Sequence, residues 1–278
     1  LSLRRQRQMC IRDSFLRNNN LSDNAYNFGL SIDYLSQAIQ NIDTSNTVNG
    51  KPIYYLINQK DLIINSSSFP DVGYLGLINS TNIIVKTLNI TDNGQGILFA
   101  FTNNSKMENV EVSNNFMGIL LVASNNNSII RNTILNNKQG IRFWGESSNN
   151  LIFHNNLLNN TIQVLGDSSL NNVWDNGCEG NFWSNYNGSD LNGDGIGDNY
   201  LPWEEVDNYP LMNPYWNPGD VNHDLKIDIF DVVIICVAYG TTPSDPEWNP
   251  HADIAEPYGV IDIYDVVKCT SHYGETYP

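Results

Sequence analysis

The chain has 278 residues and carries 14 lysines and arginines against 30 aspartates and glutamates, for a net charge of −16. Such an acidic surface repels nucleic acid and anionic lipid, and it suits an exported protein or one that binds cations. No run approaches 18 consecutive apolar residues, so no segment is a candidate membrane span.

In chain order, the first fourteen residues are set aside from fold reasoning. The run Gln8-Met9-Cys10-Ile11-Arg12-Asp13-Ser14 back-translates to a transposase adapter used in preparing sequencing libraries. Residues 1–14 are therefore expected to be an artefact joined to a truncated gene, with any signal peptide lost upstream. Four arginines against one aspartate give this segment +3, and without it the chain stands at −19. The cysteines that remain, Cys178, Cys236 and Cys269, form no disulfide framework and no zinc pattern. Buried thiols are the default, with a Cys236–Cys269 bridge inside the last domain left open.

Residues 15–186 are organised by a repeat. Ser80–Phe101, Thr102–Ala123 and Ser124–Gly145 align as blocks of 22 residues, each carrying one phrase: Gly96-Ile97-Leu98-Phe99, Gly118-Ile119-Leu120-Leu121, Gly140-Ile141-Arg142-Phe143. Val85, Met107 and Ile129 recur in register, as do Ile90, Val112 and Ile134. A fourth block, Glu146–Gly166, continues with a slip of one residue through Leu151, Leu157 and Val164. Short alternating segments with recurrent Asn-Asn and Asn-Ser pairs read as strands joined at tight corners, where asparagine tolerates left-handed angles and its amides stack. Helical repeats do not carry such pairs. Upstream, Leu16–Leu21, Tyr26–Ile32 and Ile53–Ile64 follow the pattern loosely, and Leu35–Ile42 interrupts it. The fold predicted is an all-β right-handed parallel β-helix, a solenoid of about seven coils of roughly 22 residues each.

The phrases Asn46–Gln59 (NTVNGKPIYYLINQ), Gly76–Val85 (GLINSTNIIV) and Asn93–Phe101 (NGQGILFAF) resemble NosD-type β-helix proteins of the PbH1-repeat kind. Gly180–Met212, from GNFWSNYNGSDLNGDGIGD to VDNYPLM, is similar to the segment closing such domains in archaeal surface proteins. The resemblance implies copper delivery to a periplasmic reductase. For that role residues 15–186 offer one histidine, His154, while Met107 and Met117 occupy apolar repeat positions.

Residues 187–218 are read as a calcium-loop cap and linker. Asp190, Asn192, Asp194 and Asp198 place oxygens at positions 1, 3, 5 and 9 of a wrapped loop, with Gly195 at the sharp turn and the Ile196 carbonyl at position 7. Glu204, Glu205 and Asp207 are candidates for a closing carboxylate. In residues 219–278, Asp220, Asn222, Asp224, Lys226 (by its carbonyl), Asp228 and Asp231 fit the same spacing through position 12. An apolar helical run, Val232–Tyr239, follows and ends at Gly240. Ile227–Val233 recurs as Ile261–Val267, thirty-four residues on. This duplication resembles a type I dockerin, a small α-helical domain of paired calcium loop-helix units. The first loop departs from the pattern at Leu225, where glycine is usual. The second, with Asp253, Glu256, Asp262 and Asp265, is degenerate and one residue longer. Ca2+ is the expected cofactor. The resemblance implies a cohesin-like partner meeting Ile229, Phe230, Ile263 and Tyr264.

Catalysis in a β-helix would need paired carboxylates or a base with a cation clamp. Arg142, Glu146 and His154 are the only candidates, with an exposed salt link the plainer alternative. Phe101, Phe116, Phe143 and Trp144 are candidates for stacking on sugars. Three functions stay open. The first is a secreted or cell-surface, non-catalytic binding or scaffold module for polysaccharide or glycan. The second is a β-helix polysaccharide lyase or glycoside hydrolase recruited by its dockerin, and the third is a copper accessory protein.

Overall fold

The computed structural model describes residues 15–166, 171–215, 219–222, 224, 226–255 and 257–276. The expected adapter segment, Leu1–Ser14, lies outside them, as do His223, Leu225 and Glu256 of the C-terminal loops. The chain divides into two compact units, Leu1–Pro214 and Tyr215–Pro278.

The first unit is a parallel β-solenoid. Its longest sheet has eight strands: Asn20–Leu21, Thr47–Val48, Lys51–Ile57, Tyr74–Ile78, Gln95–Ala100, Met117–Val122, Gln139–Trp144 and Ile162–Leu165, in spatial order. Two further sheets have five strands each. One contains Lys106–Glu108 and Ser128–Ile130, the other Glu111–Ser113 and Thr133–Leu135. Named strand pairs are parallel except Thr47–Val48 with Lys51–Ile57. That hairpin turns at Asn49-Gly50, whose φ angles of 50° and 78° suit a two-residue turn matched to strand twist.

Stacking follows the 22-residue register. Ile97 pairs with Ile119 and Ile119 with Ile141, while Val85, Met107 and Ile129 form a second column and Ile90, Val112 and Ile134 a third. These side chains are fully buried in one continuous core. In the fourth block Leu157 and Val164 take their expected columns, but Ile152 rather than Leu151 lies next to Ile129. The extra residue is absorbed at the corner around Gly145-Glu146: Ala123 neighbours Gly145, whereas the next residue, Ser124, donates its N–H to Ser147 Oγ at 3.1 Å. Inserting a residue at an exposed corner leaves the inward alternation intact.

Corners carry the left-handed residues. One column is Asn82, Asn104, Asn126 and Asn149 (φ 55°, 51°, 57° and 57°), and another is Asp92, Asn114, Asn136 and Asn159. Beneath them run buried amide ladders. Asn132 Oδ1 accepts the Val110 N–H at 3.1 Å, while its Nδ2 donates to the Met107 carbonyl at 3.1 Å and to Asn155 Oδ1 at 2.9 Å. Asn155 repeats this with Asn181. Asn93, Asn115, Asn137 and Asn160 form a parallel ladder, and Ser105, Asn127, Asn150 and Asn172 another. Each amide satisfies a backbone group that the turn removes from the strand ladder.

Asp207 ends one ladder. Fully buried, it accepts from the Asn181 N–H at 2.8 Å, Trp183 Nε1 at 2.7 Å and the Tyr209 N–H at 2.9 Å. This role replaces its expected one as a calcium-closing carboxylate. Burial pushes its carboxyl pKa up, against the hydrogen bonds that lower it.

The expectation that Tyr26–Ile32 forms a coil strand is corrected. Residues 26–32 carry no strand, and with the short helix Leu35–Ala38 they lie on the outer face of the eight-stranded sheet. Phe28, Ile32 and Ala38 pack there against Leu98, Ala100, Leu120 and Val122 in a second buried cluster. The approach is close because Gly29 meets Gly94: a Cβ on Gly29 would sit 3.0 Å from Gly94 Cα, and the Gly94 N–H donates to the Phe28 carbonyl at 2.6 Å. Gln95 clamps the next residue, accepting from Leu30 N–H at 2.9 Å and donating to its carbonyl at 3.0 Å.

The second unit is built from helices Ile229–Val237 and Ile263–Ser271. Its two halves bond reciprocally: Gly240 N–H to the Ile261 carbonyl and Gly274 N–H to the Ile227 carbonyl, both at 2.8 Å. The helix expected over Val232–Tyr239 starts three residues earlier, because Asp228 caps it and Asp231 reaches back to the Asp228 N–H at 2.8 Å. Cys178, Cys236 and Cys269 are free thiols, so the Cys236–Cys269 bridge is not formed. Burial pushes the Cys269 thiol up to about 11.

Replacing Asn132 with alanine strands several buried backbone groups at once. It should lower the unfolding free energy by about 2–4 kcal/mol in denaturant titration, given 1–3 kcal/mol per unmet buried group. Asp207→Asn should cost about 1–3 kcal/mol, because its amide must face a donor. A raised native pKa makes the folded state bind the proton more tightly. The stability that Asp207 contributes is therefore fully present below the ordinary carboxylate value and is lost as pH rises through its native value. Thermal melts against pH should show this step in the parent and not in Asp207→Asn.

Candidate functional site

The outward columns of the eight-stranded sheet begin apolar and then change. Leu98 pairs with Leu120 and Leu120 with Arg142; Ala100 pairs with Val122 and Val122 with Trp144. The strap at residues 26–38 covers the apolar members, and where that cover ends a groove of about 480 Å³ opens. Tyr26, Asp33, Phe116, Met117, Arg142 and Trp144 are among its lining residues.

The groove is locally pre-arranged. Trp144 Nε1 donates to Asp33 Oδ1 at 3.2 Å, tying the sheet to the strap. Arg142 places its guanidinium 4.8 Å from the Trp144 ring centroid and donates to Gln139 Oε1 at 3.0 Å. Tyr26 meets Phe116 edge to face with centroids 5.4 Å apart, and Lys138 Nζ lies 5.4 Å from the Phe116 centroid. Trp144 keeps 44% of its surface exposed and Tyr26 40%, so part of each side chain is open to solvent at the groove.

Of the four aromatics expected to stack on sugars, Phe116 and Trp144 line this groove, while Phe143 is a core residue and Phe101 is half-buried at a left-handed corner. The three catalytic candidates occupy separate surroundings. Arg142 belongs to the groove, and Glu146 is exposed at the corner that takes up the extra residue. His154 follows Leu151–Phe153 on a different sheet, at a left-handed corner, and its Nε2 lies 2.7 Å from Glu179 Oε2. That histidine holds the Glu179 carboxyl below its ordinary pKa.

In the loop at 190–198, Asp190 accepts from the Gly193 and Gly195 N–H groups at 2.6 and 2.9 Å. Asp194 accepts from the Ile196 N–H at 2.9 Å, Asn192 from Asp194 N–H at 3.0 Å, and Asp198 from Leu191 N–H at 2.6 Å. In the second unit Asp220 and Asn222 both accept the Asp224 N–H, and Asp224 accepts that of Lys226. Asp231 and Asp265 are buried and each completes a helix capping box with Asp228 or Asp262; Asp253 accepts from Gly259 N–H at 2.7 Å. The remaining candidate of the second loop, Glu256, lies outside the described residues. Ile229, Phe230, Ile263 and Tyr264 are 53–64% exposed at the starts of the two helices.

Sequence reading missed Tyr26 and Asp33, because only folding brings the strap over the sheet. A signal for the groove did exist: within a strict repeat, Arg142 and Trp144 stand at positions held upstream by leucine, alanine and valine.

No curated protein and no solved structure gives a significant match to the chain. A family model described as periplasmic copper-binding protein (NosD) matches residues 6–188. The expectation of Ca2+ as cofactor is corrected on two findings. The family is described by copper, and among the described residues no group of three or more His, Cys, Asp or Glu side chains is placed to hold a metal ion. The carboxylates that suggested calcium loops instead turn onto their own backbone N–H groups. Among the described residues the soft side chains do not gather into a copper site either: Met107 is fully buried in the core, His154 engages Glu179, and Cys178 is exposed in a turn. With two thirds of its length matched, the chain belongs to the NosD family.

Proposed function

We propose that this NosD-family chain is an exported binding protein without catalysis of its own, and that it holds a glycan in the groove beside the strap. The observation that carries this reading is the pairing of exposed Trp144 and Tyr26 with polar Arg142 and Asp33 in one groove. Rings that keep part of their surface open offer a stacking surface for a sugar ring, and flanking polar groups fix its hydroxyls. The family description supports export. No helix among the described residues is long and apolar enough to cross a membrane.

A copper accessory role is the second reading, favoured by the family match. Calorimetric titration of the full chain separates the two. An oligosaccharide should bind saturably, Trp144→Ala should weaken it by at least about tenfold, and no reducing ends or unsaturated product should appear. Stoichiometric copper binding that survives replacement of His223, His251 and His272, with no glycan binding, would put the copper reading first.

The second unit is proposed as a dockerin-like attachment module for a cohesin-like partner. Support comes from its duplicated loop-helix halves and from Ile229, Phe230, Ile263 and Tyr264, apolar yet more than half exposed. Replacing both Phe230 and Tyr264 with serine should weaken capture by immobilised recombinant cohesin domains by about thirtyfold or more, the scale of two-ring anchors. Capture unchanged by that double substitution sinks the assignment.

A further inference from the structure

Within the groove, charge narrows the ligand. The described part of the first unit has eight lysines and arginines. Arg17 pairs with Asp43, Lys60 with Asp61, and both Lys106 and Arg131 with Glu108. Among the described residues Lys51, Lys86, Lys138 and Arg142 enter no ion pair; of these four, Arg142 lines the groove beside Trp144, and Lys138 lies over the ring of Phe116, itself a lining residue. In a chain of net charge −16, carboxylates to neutralise them are plentiful, so cations left on rings at a groove are available to a ligand.

We propose that the groove is selective for an acidic saccharide, a sugar bearing a carboxylate. This rests on the glycan reading and deepens it. Arg142 supplies the planar fork that takes a carboxylate on two parallel N–H donors, and its contact with the Trp144 ring and its hydrogen bond to Gln139 hold the guanidinium in place. Lys138, four residues before it, adds a second positive charge beside Phe116 without a directional demand. The exposed face of Trp144 carries the sugar ring. Asp33 commits Oδ1 to Trp144 Nε1, and its Oδ2, with no partner among the described residues, accepts from a sugar hydroxyl. A neutral glycan would use the stacking face and Asp33 but would leave both cations unanswered.

The test is calorimetric titration of the full chain with an oligogalacturonate and with a neutral galacto-oligosaccharide of equal length. The acidic ligand should bind about tenfold or more tightly than the neutral one, the scale of one charge-assisted pair, and lose that advantage as salt is raised. Arg142→Gln combined with Lys138→Gln should abolish the preference, so that within that variant the acidic and the neutral ligand bind alike, while the melting temperature stays as in the parent. Equal affinity for the two ligands, or a preference that survives both substitutions, overturns acidic selectivity and leaves the glycan reading standing. Failure of both ligands to bind removes the two together.

Discussion

The solenoid depends on one polar interaction: the buried corner asparagine that receives a backbone N–H from one coil and donates its amide to that coil and the next. A parallel coil must turn sharply every few residues, and each turn takes peptide groups out of the sheet ladder while keeping them away from water. An unmet buried peptide group costs about 1–3 kcal/mol, which repeated at several corners per coil would consume the stability of a domain. Asn132, Asn155 and Asn181 meet that demand in sequence, and Asp207 closes the series with a carboxyl group that accepts from three N–H donors. The apolar columns inside supply the driving force, and the amide columns make the register unique, because an amide one residue out of step would face the wrong neighbour.

That rigidity explains where the proposed binding surface lies. The inward face of each strand is committed to the core and the corners to ladders, so variation is left to the outward faces of the sheets, and the groove lies on that of the eight-stranded one. There the strap at residues 26–38 buries the apolar outward columns, and Arg142 and Trp144 begin where the strap's protection stops. A groove formed between a fixed sheet and a strap held by Gln95, Gly94 and the Trp144–Asp33 bond is pre-organised, which spares a ligand the ordering cost of making it.

The second unit uses aspartate differently. Asp231 and Asp265, thirty-four residues apart, each accept backbone N–H groups from their own loop and cap their own helix. The same spacing that suggests an ion cage from the chain alone serves helix capping and turn closure here. Carboxylates at alternate positions of a tight loop are close to their own N–H donors, so spacing does not distinguish the two uses.

The repeat, the strand columns, the asparagine corners and the duplicated C-terminal halves were all legible in the sequence. Each is set by neighbours at a constant offset, and such an offset is visible along the chain as Ile97, Ile119 and Ile141 or as Ile227 and Ile261. The slip in the fourth block was legible, but its placement was not: Ile152 and Leu151 are both apolar, and only the corner at Gly145-Glu146 decides which turns inward. Tertiary structure alone decided the strap and with it the groove. Tyr26 and Asp33 reach Phe116 and Trp144 across 90 and 111 positions of sequence, and no period links them. Sequence determines what repeats, because repetition is local physics copied. The site arises where a non-repeating segment meets the stack, and that meeting exists only in the folded chain.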